Sequence, residues 1–272
     1  MTACHFVIPD AHFSPSDQDT QFLRARRLGH YLAMVYKRCR QRGVPLRVIC
    51  LGDWWDLVSL CFYEKNKAAF AQQSVVADMQ AGETALAAMH LAFEERCAEY
   101  GISADENIEY HFTNGNHEHR INTALEETAT APLLRGMPTP QSIVEGMGWR
   151  FYPYMQPACI DGVAYAHCLP SGVQGRPIGG ANIGKTLLDR MMTSCVVGHS
   201  HTYDMTFKVD AFGGRRFALV AGCYYDKVPN YAQATSHLWW RGVTVLNGVE
   251  NGCLVRGVAA VTVEDIKDVV GF

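Results

Sequence analysis

The stretch LRVICLGDWWD, from Leu46 to Asp56, is apolar except for Arg47 and then breaks into a glycine and two carboxylates. A short apolar run bounded by a turn signal reads as a strand covered on both faces, as in a parallel sheet. The break puts Asp53 and Asp56 at the carboxyl end of that strand. Four further runs end in the same way. Cys4–Pro9 ends at Asp10-Ala11-His12, and Ile108–Thr113 runs into Gly115-Asn116-His117-Glu118. Val163–Ala166 ends at His167, and Cys195–Val197 ends at Gly198-His199-Ser200-His201. Between the first strands, Asp17–Arg42 carries a helical stripe of Phe22, Leu23, Tyr31, Leu32 and Val35 and stops at Gly43. Val58–Tyr100 reads as helix in two or more pieces. Pro132–Gln141 and the glycine-rich Pro170–Gly184 read as surface loops. Strands alternating with helices predict an α/β fold, in which sites form beyond the carboxyl ends of the strands.

The composition agrees with a packed domain. The 272 residues are 48% hydrophobic and 19% charged, with a formal net charge of -3. That balance excludes a disordered chain and a protein that coats nucleic acid or anionic membrane by bulk charge. No apolar run reaches the roughly 18 residues of a membrane span, and no signal peptide is visible. The ten cysteines are scattered without a Cys-x-x-Cys pair. They read as reduced thiols in a cytoplasmic protein.

The residues at the strand ends share one chemistry. Two Asp, one Asn and four His can coordinate two divalent metals with one carboxylate bridging. An oxygen and imidazole set without thiolate suits Mn, Fe, Zn, Co or Ni, with Mn favoured, over Ca or a structural zinc site. Asp-x-His and His-x-His each put two donors on one side of an extended segment. Asp-x-His alone arises by chance in roughly a third of chains this long, whereas all five motifs in order fall below about one in a million.

The five motifs together resemble the signature of the calcineurin-like metallophosphoesterase superfamily, in the prokaryotic and viral form with a complete Gly-His-x-His. The resemblance spans Asp10 to His201. It implies a four-layer sandwich of two mixed β-sheets flanked by helices, with a dinuclear metal site at the strand ends. It further implies one domain over 1–272, with a helical insertion at 57–110 and a β-rich 202–272 completing the second sheet. By motif, Asp10, His12 and His201 would bind one metal, Asn116, His167 and His199 the other, and Asp53 would bridge. His117 would meet the leaving-group oxygen, Asp56 would orient it, and Glu118 would fix the loop. The implied activity is hydrolysis of a phosphoester by in-line attack of a metal-activated hydroxide.

Phosphoprotein phosphatases follow Gly-Asp-x-x-Asp with Arg-Gly, whereas here Asp56 is followed by Leu57-Val58. That favours a phosphodiesterase acting on nucleotide or nucleic acid over a nucleotide or protein phosphomonoesterase. Arg120 is a candidate phosphate ligand or a surface salt-bridge partner. Of Trp54 and Trp55, one is expected in the core, while the other, taken as Trp55, could stack on a substrate ring. Gly179 to Thr186, GGANIGKT, matches the P-loop pattern and gives a second class, a P-loop NTPase, though no apolar strand precedes it. A non-catalytic scaffold stabilised by metal is a third. The cations from Arg24 to Arg42 make the first helix basic and read as a solvated face.

Overall fold

The computed structural model describes residues 2–16, 18–61, 74–104, 107–127, 131–226 and 235–272. Its first half is a parallel strand–helix alternation. Strand β1 (Ala3–Ile8) leads through α1 (Gln18–Arg42) to β2 (Leu46–Cys50), and α2 (Val75–Glu99) leads to β3 (Ile108–Thr113). Parallel neighbours need such crossovers because a tight turn cannot join them. Of the predicted helical 58–100, the described residues form a short 3-10 turn at Val58–Leu60 and then α2, and 62–73 lie outside the described residues. Helices α3 (Asn116–Glu126), α4 (Ala131–Leu134) and α5 (Pro140–Gly146) lead to β4 (Arg150–Tyr152). The proline-containing 132–141 is therefore partly helical, because Pro140 begins α5 behind a Thr139–Ser142 capping box.

The second half adds β5 (Ala158–Ile160), β6 (Val163–Ala166) and a two-residue hairpin of β7 (Pro170–Ser171) and β8 (Arg176–Pro177). Then come α6 (Ile183–Met191), β9 (Cys195–Val197), β10 (Tyr203–Val209) and β11 (Arg215–Ala221). Strands β12 (Gly242–Glu250), β13 (Cys253–Leu254) and β14 (Val258–Thr262) and helix α7 (Val263–Val270) close the chain.

Two mixed sheets result. One has the order β13-β12-β1-β2-β3-β4, with β14 also on β12, and the other has β10-β11-β9-β6-β5. The expected role of 202–272 is corrected in part. Strands β10 and β11 complete the second sheet, but β12, β13 and β14 join the first, where β12 runs antiparallel to β1. The physical reason is that β12 is buried almost throughout, which suits a strand paired on both edges. The terminal run also ends as a helix, capped by Thr262 and Asp265 and stopped by Gly271 in the left-handed region.

Period-two alternation assigns the core. Phe6, Ile8, Val48 and Cys50 pack towards α1 and α2, while Val7, Ile49 and Leu51 face Tyr165, Val196, Phe217 and Leu219 of the second sheet. A third cluster packs Leu187 and Leu188 of α6 on the other face of the second sheet, against Val197 and Val220. The layers are helices, sheet, sheet, helix. All ten cysteines are free thiols. Among the described residues, no helix is long and apolar enough to cross a membrane.

Candidate metal centre

Strands β1, β2 and β3 of one sheet and β6 and β9 of the other deliver their carboxyl ends to one place. The loops there are tied to each other before any side chain is considered. The amides of Ala11 and His12 both donate to the Asp53 carbonyl, at 3.0 and 2.8 Å. Phe13 N–H donates to Trp54 O, Asp56 N–H to Phe13 O, and Gly198 N–H to His167 O. Arg24 of α1 is fully buried there rather than solvated. Its guanidinium donates to Tyr224 O and Gln21 Oε1 and lies 4.1 Å from the Phe13 ring centre. The Tyr224 amide in turn donates to Asp10 O at 2.7 Å.

Glu118 is the strongest of these ties. It is buried, its Oε2 accepts from the amides of Asp53 and Gly115, and its Oε1 accepts from Trp55, all at 2.9–3.0 Å. Three charge-assisted bonds to one carboxylate fix the 53–55 loop against the 115–118 turn, so Glu118 sits beneath the site. Gly52 allows the same approach. It has φ +84, and a Cβ there would lie 2.4 Å from the Gly115 nitrogen.

The side chains then converge in two groups. Asp10 Oδ2 lies 3.1 Å from His201 Nε2, which faces His12 Nε2 at 3.2 Å. His167 Nε2 lies 2.8 Å from Asn116 Oδ1 and 3.1 Å from His199 Nδ1, and the last two are 2.9 Å apart. Asp53 stands between the groups, with Oδ2 3.4 Å from His167 Nε2, and its ligand atom clusters with those of Asp10 and His167. All seven sequence-predicted ligands are thus brought together.

Four of them, His12, Asp53, His199 and His201, have φ between +48 and +69. Non-glycine residues adopt that region at a cost of about 1–2 kcal/mol each, and such strain concentrates at functional sites.

The donor set fits divalent cations. His167 Nδ1 donates to Leu51 O at 2.9 Å, so the neutral ring presents its Nε2 lone pair beside the Asn116 oxygen, where a cation would take both. The charges point the same way. Asp10, Asp53, Asp56 and Glu118 gather four carboxylates around imidazoles, and burial of that much negative charge needs compensation. Burial pushes the Asp10, Asp53 and Asp56 carboxyls up, but the surrounding imidazoles outweigh it and hold all three below the usual range. Burial raises the Glu118 carboxyl, and Asp53 beside it adds to the rise.

His117 lies at the rim of this cluster. Its Nδ1 is 2.5 Å from the Asp56 carbonyl and 3.2 Å from Asp56 Oδ1, and its Nε2 is 3.7 Å from Asp53 Oδ2. Asp56 therefore holds His117 through backbone as well as carboxylate, and also lies 3.4 Å from His12 Nδ1. A cavity of about 240 Å³ opens over His12, Asn116, His117 and His199, with the half-buried Trp239 on its wall.

Two sequence expectations are corrected. Trp55 cannot stack on a substrate. It is fully buried with Trp54 against α2, its indole N–H donates to Met79 O, and a Cβ at Gly82 would overlap its ring. Arg120 makes no ion pair among the described residues; its Nη1 donates to the carbonyls of Asp56 and Leu57, which ties it to the turn beneath His117. The 179–186 loop lacks the buried strand that the P-loop pattern requires directly before it. The β7–β8 hairpin precedes it, and the Lys185 ammonium pairs with Asp189 at 2.7 Å.

Trp239 has no part in any motif and was not legible in advance. Its ring meets His201 edge-to-face at 4.3 Å, and Tyr225 lies 5.5 Å from His12. Compared with protein-family models and with curated proteins, the chain matches neither.

Proposed function

We propose that the chain is a metal-dependent phosphoesterase of the calcineurin-like kind, leaning to phosphodiesters with a nucleotide or nucleic-acid character. The observation that carries this is the pair of donor groups, Asp10-His12-His201 and Asn116-His167-His199, meeting at Asp53 beside His117. Two divalent cations held there would activate water and neutralise phosphate charge.

The chain's own groups do the rest. Asn116 and the six other donors fix where a phosphate would sit. His117 is aimed by Asp56, so its Nε2 is free to hold a proton at the leaving-group oxygen. Glu118 keeps both loops in register so that these positions do not drift. Trp239 offers an aromatic wall at the mouth, which suits a base or aryl leaving group.

A diester is favoured over a monoester by charge. No Lys or Arg is among the described residues lining the 240 Å³ cavity, and a monoester brings a second negative charge that such a side chain would serve to hold.

The test is hydrolysis of aryl phosphodiesters and aryl phosphomonoesters with Mn, Ni, Zn or no added metal, in wild type and His117→Ala. The expected outcome is metal-dependent turnover, faster on the diester, falling by about 10²–10⁴ in His117→Ala while metal content stays the same. Turnover without metal, or undiminished in His117→Ala, would contradict the proposal.

A further inference from the structure

At the opposite end of β1 from Asp10, six residues and about 20 Å along the strand, lies a second cavity of about 520 Å³. Its floor includes the buried Cys4, Val35 and Val245, and its rim carries the exposed Arg38, Arg42 and Arg256. These come from the last turns of α1 and from the segment joining β13 to β14.

The three guanidiniums stand out by what they lack. None makes a hydrogen bond or ion pair with a described residue, and no Asp or Glu is among the described residues lining the cavity. Other cations of α1 have partners. Arg26 pairs with Glu95, Arg27 donates to Phe272 O, and Lys37 lies over the Tyr100 ring. Arg38 and Arg42 are four residues apart on one helix face, a spacing at which like charges repel. Arg256 adds a third positive charge from another element.

The arrangement is held in place. The stem of Arg256 lies on β12 where Gly248 has no side chain, since a Cβ there would come within 2.9 Å of Arg256 Cγ. Cys39 lines the cavity beside Cys4 and Arg42. The Cys39 thiol is drawn below its usual range by its contact with Cys4 and, to a smaller extent, by Arg42. A volume of this size is that of a small-molecule site.

The geometry points to a second anion site, one that takes a ligand with two or more phosphoryl groups on Arg38, Arg42 and Arg256. Guanidinium forks match phosphoryl oxygens in pairs, and three forks around one cavity satisfy more oxygens than a single phosphate offers. The site stands independently of the chemistry proposed for the metal centre. Inorganic pyrophosphate and the polyphosphate tail of a nucleotide present the same groups. The small apolar floor decides between them.

Calorimetric titration of the chelator-treated full chain with pyrophosphate, ATP and AMP tests this. Pyrophosphate and ATP should bind saturably at one site per chain and more tightly than AMP. ATP tighter than pyrophosphate would assign the floor to the base, and equal affinities would assign binding to the phosphoryl groups alone. Arg42→Ala and Arg256→Ala should each weaken binding at least about tenfold, Arg256→Lys less, with unchanged melting temperatures, and Asp53→Asn should leave it intact. No saturable binding below about 1 mM would overturn the site. So would binding that survives both arginine variants, or that is lost in Asp53→Asn and kept in Arg42→Ala.

Discussion

Gly198 touches the proposed centre through space it leaves empty. A Cβ built there would lie 2.2 Å from Asp10 Oδ1, whereas real Cβ contacts essentially never fall below 3.0 Å. Gly198→Ala therefore requires the two to part by at least 0.8 Å, the difference between those distances. The Gly198 backbone is outside the left-handed region, so alanine adds no conformational strain of its own.

Asp10 has nowhere easy to go. It is fully buried, it accepts from the His199 amide at 3.0 and 3.1 Å, and it faces His201 Nε2 at 3.1 Å. Displacement by that amount takes these contacts beyond hydrogen-bond length. The loss of a charge-assisted bond costs about 1.5–3 kcal/mol, which is about a 10- to 150-fold weakening of a cation bound through Asp10. The assay is calorimetric titration with Mn²⁺, checked by thermal melting. Gly179→Ala serves as control, because nothing lies within 4 Å of a Cβ there. Mn²⁺ binding in Gly198→Ala within twofold of wild type, or an equal loss in Gly179→Ala, would show that the added Cβ does not act through Asp10.

Two further outcomes follow from residues around the site and in the core. Burial pushes the His90 and His111 imidazoles down to about 4, and His90 is held neutral as the acceptor of the Trp149 indole N–H. The unfolded chain protonates these groups near 6.5, so the unfolded state gains protons first and stability falls as pH drops from about 6.5 to 4, by about 1–3 kcal/mol for each group. Urea melts across that range should show the fall in wild type and a shallower one in His90→Gln, and flat or rising stability would contradict it. Trp239→Ala should raise KM for an aryl or nucleotide ester by about 5- to 50-fold while leaving a small alkyl diester unaffected, as expected for loss of a stacking wall. Steady-state kinetics on both substrates checks this, and an equal loss on the two would remove Trp239 from substrate contact.

Much of the fold was legible because its strands are buried on both sides. Apolar runs such as Val48–Leu51 and Cys195–Val197 announce themselves, and the polar residues that interrupt them mark strand ends. The donors were legible for the same reason, since Asp10, Asp53, Asn116, His167 and His199 each follow such a run. The partition of 202–272 between two sheets was hidden, because pairing partners are set by tertiary packing and not by the pattern along β12. Trp55 was misjudged because alternation at a strand end sends only one of two neighbouring side chains inward, while α2 supplies Gly82 and the Met79 carbonyl to bury this one as well. Arg24 shows the same limit. A cation on a basic helix reads as solvated until the fold brings the Tyr224 carbonyl to it. Trp239 was silent because its role depends only on proximity to His201.

In the proposed centre, the two donor groups would hold two cations through a shared Asp53. Metal analysis of purified wild type and Asp53→Asn, after equilibration with Mn²⁺ and removal of excess, tests it most directly. Wild type should carry two metal ions per chain and Asp53→Asn at most one weakly held ion, with loss of phosphoester turnover. Asp53→Asn that retains two metal ions and full turnover, or a wild type that binds none, would contradict it.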